Sequence, residues 1–284
     1  MKRGWLAGLV AVALCGWTSV ASAGGPVMLA GHDADDHGFE DVYADLFDAL
    51  LADVTNGGSG ILAIGADEGE DAGDWIEDVA SLMGLPTPSV TFINDSDISS
   101  TSFAGYAILH IPSDDGNTFG GISADENALL TARADDIAAF VNGGGGLFGL
   151  TQGELSDQYG YITGSGGLGA ISTLFVDPGG EFPSGDDYDD VSATTEGEAL
   201  GLTDGNVDGC CWHNVFTAFP SFFDVLAVAE APLDSDFNQE ASVIGGAEVT
   251  ITPINPIPEP SSMLLFGLGG LGAGVIRRRK RALS

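Results

Sequence analysis

The sequence predicts an α/β fold, a three-layer sandwich in which a mostly parallel sheet lies between two layers of helices. Three observations predict it. Short apolar runs alternate with amphipathic stretches at helical spacing between Pro26 and Leu150. The apolar runs are continuous rather than alternating, as strands covered on both faces require. Finally, 44% of the 284 residues are hydrophobic, so the net charge of −34 does not mark a disordered chain, which needs low hydrophobicity as well.

In order along the chain, residues 26–31 (PVMLAG) begin as a strand. Phe39, Val42, Tyr43, Leu46, Phe47, Leu50, Leu51 and Val54 then recur at helical spacing, and the glycine-rich stretch 57–60 ends that helix. Residues 61–65 (ILAIG) read as a buried strand, and Trp75, Ile76, Val79, Leu82 and Met83 mark a second helix. Residues 90–93 and 106–111 are two more strands. Ser123, with Glu126 three positions on, is a capping box for one helix through Leu129, Leu130, Ile137, Phe140 and Val141. Four glycines at 143–146 close it, and residues 147–150 (LFGL) form a further strand. After Gln152 the pattern loosens into glycine-rich, acidic stretches; order returns with a strand at 225–228 and a hairpin of 242–244 and 248–251 joined at Gly245-Gly246.

The two ends are addresses. Residues 1–23 carry Lys2 and Arg3, an apolar stretch from Trp5 to Trp17, and Ala21-Ser22-Ala23, the three parts of a secretory signal peptide with cleavage expected after Ala23. Export machinery of the Sec type is therefore an expected partner. The body is expected over 24–252, followed by a linker at 253–260. Residues 261–276 are apolar but short against the ~20 residues a stable span prefers. Arg277, Arg278, Arg279, Lys280 and Arg281 follow, and the positive-inside rule holds the basic tail 277–284 in the cytoplasm. Residues 261–276 are thus expected to be a transmembrane helix acting as a transient inner-membrane anchor. Pro258-Glu259-Pro260, the glycine- and leucine-rich segment and the terminal basic cluster together resemble the PEP-CTERM sorting signal. The resemblance implies processing by exosortase, a membrane protease-transpeptidase, and a destination at the cell surface or outside the cell, in association with extracellular polysaccharide and biofilm.

The middle also carries a resemblance. The order apolar strand, loop, long helix, glycine run and LFGLTQG over 106–153 resembles the flavodoxin-like, class I glutamine amidotransferase-like fold. Active members of that family place a cysteine within G-x-C-x-G; here Gly149-Leu150-Thr151-Gln152-Gly153 puts Thr151 at the nucleophile position. A threonine hydroxyl without an activating base is a poor nucleophile, and His213 is followed by Asn214-Val215 rather than a His-x-Glu pairing, so the resemblance implies a degenerate, non-catalytic domain.

All 42 acidic residues fall between Asp33 and Glu259, with a single cation, Arg133, among them, a charge that excludes nucleic acid as a partner. Two constellations are candidate ion sites. The first is the loop after the first strand, His32, Asp33, Asp35, Asp36 and His37, whose mixed nitrogen and oxygen donors suit a metal; an acidic cap for the next helix is the competing reading. The second is Asp204, Asn206 and Asp208 with Gly209, the opening of a calcium loop with Val215 at position twelve instead of glutamate; a plain Asx turn is the competing reading. His110, at the end of a strand, could face the same crevice or be hydrogen-bonded structure. Cys210 and Cys211 read as a vicinal disulfide or as two small packed residues. Trp212, Phe216, Phe219, Phe222 and Phe223 read as core. The expectation is an exported surface or matrix protein whose domain binds a ligand or calcium without catalysis; the alternative is an extracellular metal-dependent hydrolase working through His32–Asp36 and His37.

Overall fold

A computed structural model describes residues 24–116, 118–150, 158–163, 171–175, 191–207, 212, 214–229 and 240–252. The elements run β1 (Gly25–Ala30), α1 (Ala34–His37), α2 (Glu40–Asp53), β2 (Ile61–Ile64), α3 (Asp71–Leu82), β3 (Val90–Ile93), a 3-10 turn (Asp95–Ser99), β4 (Ile108–Ile111), α4 (Ala124–Thr131), α5 (Ala134–Asn142), β5 (Gly146–Leu150), α6 (Gly160–Thr163), β6 (Ser172–Phe175), β7 (Val191–Ala193), α7 (Thr195–Glu198), α8 (Asp204–Val207), β8 (Asn214–Ala218), β9 (Asp224–Ala229) and β10 (Ala241–Val249).

One sheet holds all the described strands, in the order β3-β2-β4-β5-β1-β10-β8-β6, with β9 on β10 and β7 on β9. From β3 to β1 every pairing is parallel. Every pairing beyond β1 is antiparallel. The sheet is therefore mixed rather than mostly parallel. Its parallel half runs 3-2-4-5-1, whereas flavodoxin-like sheets run 2-1-3-4-5, with the first strand inside rather than at the far end. Parallel neighbours need crossovers of a dozen or more residues, usually a helix, and α2 to α5, of eight residues or more, lie among the first five strands; the described helices after β5 have four residues each.

Alternating strand residues feed two separate cores. Met28, Ala30, Ile61, Ala63, Ile108, Phe148 and Leu150 pack with Phe47 and Leu50 of α2 and with Ile76 and Val79 of α3. Val27, Leu29, Leu62, Ile64, Leu109, Ile111 and Leu147 pack with Leu130, Ile137 and Val141 of α4 and α5 and with Ile162 of α6. This is the helix–sheet–helix layering expected from continuous apolar strands. Each such Val, Leu, Ile, Phe or Met side chain, fully buried, stabilises the fold by about 1.5–3 kcal/mol before its entropy cost.

Two expectations are corrected. The hairpin at Gly245-Gly246 is a single strand, β10, whose Gly245 and Gly246 lie opposite Met28 and Val27 of β1. The glycines are there for close packing: a Cβ on Gly245 would stand 2.9 Å from Leu226 Cδ1. The single helix after Ser123 is two, α4 and α5, broken at Ala132–Arg133. Arg133 leaves helical geometry there while its Nη1 donates to the Ile98 and Thr101 carbonyls, 2.7 Å each. The Ser123–Glu126 capping box forms as expected.

No helix among the described residues is long and apolar enough to cross a membrane. The expected leader 1–23, the transmembrane helix 261–276 and the basic tail 277–284 lie outside the described residues, as do Thr151, Asp208, Cys210, Cys211 and His213.

Candidate functional site

The five parallel strands aim their carboxyl ends at one edge of the sheet, where ligands of open α/β sheets bind. The loops leaving them carry His32 to His37 after β1, Asp67 after β2, Asn94 and Asp95 after β3, and Ser113 and Asp114 after β4.

The loop after β1 does not act as a unit. His32 turns inward, 1% exposed: its ring stacks on Trp212 at 4.4 Å with 9° between planes, meets Phe39 edge-on, and shares a 3.0 Å hydrogen bond between Nδ1 and the Tyr43 hydroxyl. Residues 32 and 212 also form an isolated antiparallel bridge. Burial, then the charges of Asp35 and Asp33, push the Tyr43 hydroxyl well above its ordinary pKa, so it keeps its proton. Asp35 turns the other way. It is 2% exposed and its Oδ2 accepts the Ser113 amide at 2.8 Å, tying α1 to the end of β4. Its Oδ1 has no hydrogen-bond partner. Burial outweighs the Ser113 bonds and lifts its pKa from 3.8 to about 6.

Asp33, Asp36 and His37 do converge. His37 Nε2 lies 3.2 Å from an oxygen of each carboxylate. One ligand atom from each of the three falls within 4.8 Å of the others, the spacing that a single metal ion needs. Of the loop residues that sequence reasoning grouped, α1 brings Asp33, Asp36 and His37 together and leaves Asp35 out, because positions i+3 and i+4 from Asp33 share its helix face and i+2 does not.

Asp204 and Asn206 have work within their own turn. Asp204 Oδ1 accepts the Ala193 amide at 3.0 Å, while Asn206 Oδ1 accepts the Thr203 amide at 2.6 Å and Nδ2 donates to the Gly201 carbonyl at 3.1 Å. Asn206 nonetheless lines the same narrow hollow as His32, Tyr43 and Trp212, with free volume of about 10 Å³, room for one water. The two constellations, far apart in sequence, are therefore neighbours. Trp212, Phe216 and Phe223 are buried, as expected of core, while Phe222 is 49% exposed.

His110 is fully buried among Phe47, Trp75 and Phe148, with ring centroids 5.7, 5.7 and 6.4 Å away. Burial lowers its pKa to about 3, which the Phe148 backbone offsets only in part, so the ring stays neutral. It is a core residue, closed off from the crevice.

Sequence reasoning missed a second acidic group, at the point where strand order reverses between β2 and β4. Asn94 Nδ2 donates to Asp67 Oδ1 at 2.6 Å, and the Asp95 amide donates to Glu126 Oε1 at 2.9 Å. Burial, then the Glu126 and Asp95 charges, raise the pKa of Asp67. The loop from Ser113 to Ile122 closes over this group: the Asp67 amide bonds the Gly120 carbonyl, and Ile122 sits against Gly65, where any Cβ would clash at 2.6 Å. The signal in the sequence was position, an acidic or amide residue within three residues of the end of each of β1 to β4.

The fold and this edge define an α/β protein with a carboxylate-rich loop surface. Residues 256–280 match the PEP-CTERM protein-sorting motif, so the chain carries a sorting signal for exosortase and belongs among exported proteins. No curated protein matches the chain.

Proposed function

We propose that this chain is a surface or matrix protein held briefly in the inner membrane by its tail and then handed on by exosortase, with a non-catalytic α/β domain that holds a divalent cation at Asp33, Asp36 and His37. The observation that carries the reading is the sorting motif at 256–280. The convergence of three ligand atoms within 4.8 Å supports the cation site. One imidazole with two carboxylates suits a zinc- or manganese-type ion better than calcium, which takes six to eight oxygens. Calcium at Asp204, Asn206 and Asp208 is the weaker form of the idea, since two of those side chains already serve their own turn. Extracellular polysaccharide is the partner the destination implies, and an acidic domain would meet an anionic polymer through such cations.

The rival is a metal-dependent hydrolase at the same loop. In its favour stands Asp35, whose pKa of about 6 suits proton transfer near neutral pH. Against it, Asp35 is 2% exposed with one oxygen committed to Ser113, so a substrate has no path to it. Two measurements test the proposal. Mass spectrometry of the chain's termini in fractionated cells is expected to find the tail removed near Pro258 and the body outside; an intact chain in the cytosol sinks the reading. Titration of zinc, manganese and calcium is expected to show binding that Asp33→Ala and His37→Ala each weaken tenfold or more (on the order of one lost ligand); unchanged affinity removes the cation site.

A further inference from the structure

The acidic residues are not spread evenly over the two edges of the sheet. At the carboxyl edge, the connecting loops carry Asp33, Asp36, Asp67, Glu68, Asp95 and Asp114 among others. At the amino edge, the segments that lead into β2, β3, β4 and β5 are 54–60 (VTNGGSG), 83–89 (MGLPTPS), 100–107 (STSFAGYA) and 143–145 (GGG), without one charged residue. Asp53 at the end of α2 and Glu248 in β10 flank this surface, and Glu196 and Asp224 line a hollow with Asp53 and Pro26 beside the start of β1. It is also partly apolar: Leu51, Leu85, Pro86, Pro88 and Tyr106 line an open hollow of about 350 Å³ there.

The chain heads for its sorting motif from this same edge. β10 runs down to Val249, opposite Gly25 at the start of β1. Two residues on, Asn142 clamps the backbone, its Nδ2 donating to the Ile251 carbonyl at 2.6 Å and its Oδ1 accepting the Ile251 amide at 2.8 Å. The clamp sits beside the uncharged glycine run. From Thr252, residues 253–260 span at most ~28 Å before the apolar segment begins at Ser261. The domain is thus tethered close to whatever the tail enters, by its uncharged edge.

We propose that the amino edge is the surface this domain presents to the anionic lipid headgroups while the tail is anchored, and that the acidic edge points away from the membrane. The proposal rests on the sorting reading above. Its physical basis is a comparison of two lengths. β2, β3 and β4 have four residues each and β5 has five, so the edges are ~13–17 Å apart along these strands, whereas screening at physiological salt reduces charge repulsion over about 8 Å. With the amino edge inward, the carboxylates of the other edge stand up to about two screening lengths from the headgroups. The reverse orientation would press them against a surface of their own sign. The uncharged loops would let a strongly acidic body lie next to such a surface.

The test uses the membrane-extracted full chain in vesicles of phosphatidylethanolamine and phosphatidylglycerol, with Cys210→Ser and Cys211→Ser. A donor dye is placed by Ser59→Cys at the amino edge or by Ser96→Cys at the carboxyl edge, both exposed positions, with an acceptor on the lipid headgroups. The ~13–17 Å offset is expected to make energy transfer from position 59 at least about twofold greater than from position 96. The pair Thr87→Cys and Phe119→Cys repeats the comparison on independent loops. Equal or reversed transfer in vesicles that carry the chain overturns the orientation and leaves the sorting reading intact. A chain that does not float with the vesicles overturns the anchoring itself, and the orientation with it.

Discussion

Asp35→Asn is expected to stabilise the folded protein at neutral pH and to do so less as the pH falls. The carboxyl is buried with one oxygen on the Ser113 amide and the other unpartnered. Its pKa rises from 3.8 to about 6 on folding. The folded state therefore binds the proton more tightly than the unfolded chain. The group's favourable contribution is complete below pH 3.8 and is lost as the pH rises through about 6. At about 1.4 kcal/mol per pKa unit, the carboxylate costs the fold roughly 3 kcal/mol at pH 7.5 relative to its protonated form. Asparagine keeps an oxygen for Ser113 and carries no charge to desolvate. The assay is guanidinium unfolding followed by the fluorescence of the buried Trp75 and Trp212, with chelator present, at steps from pH 4 to 7.5. Taking the difference between variant and parent cancels the titration of the other acids. The variant should gain on the order of 2–3 kcal/mol at pH 7.5 and close to nothing at pH 4. A difference that is flat across this range, or a variant weaker at pH 7.5, would refute the claim that burial dominates at Asp35.

Two further substitutions test the packing around the site and the exit of the chain. Arg133→Lys keeps the one cation of the body but cannot reach both the Ile98 and Thr101 carbonyls, bond Asp136 and lie over the Phe103 ring at 3.9 Å together. A loss of about 1–2 kcal/mol in denaturant unfolding is expected, and none if the guanidinium is merely a surface charge. Asn142→Ala removes both bonds to Ile251, so amide exchange at Ile251 should accelerate at least about tenfold, at a cost of about 1 kcal/mol for the lost bonds. Exchange as slow as in the parent would mean that the sheet alone holds the segment.

Legibility in the sequence followed the range of the interaction. β1 to β5 were visible because each is a continuous apolar run between turn signals, and the residue registers of β2 with β3 and β4 simply align those runs. The capping box at Ser123 and Glu126 was visible because its four groups lie within four residues. β6, β7 and β8 were missed because short strands in glycine-rich and acidic surroundings carry little period of their own and exist by pairing with distant partners. The break before α5 was missed for the same reason, since what Arg133 gains by leaving the helix lies at Ile98 and Thr101. In the candidate site, the residue types were legible but not their directions: of the β1 loop, Asp33 and His37 converge with Asp36, while His32 and Asp35 turn into separate contacts.

By itself the sequence determined the sorting tail, the acidic character of the body and the two-sided burial of the first five strands. Each is a property of composition or of local order: a proline–glutamate–proline before an apolar stretch and a basic cluster, or a run of apolar residues too long to be one-faced. Only the tertiary structure decided that the sheet turns antiparallel after β1, that Trp212 stacks on His32, and that the carboxylates gather at one edge while the chain leaves toward its sorting motif from the other. Those outcomes depend on which strand pairs with which. That choice is made by buried area and hydrogen bonds between residues more than a hundred positions apart, where no local period reaches.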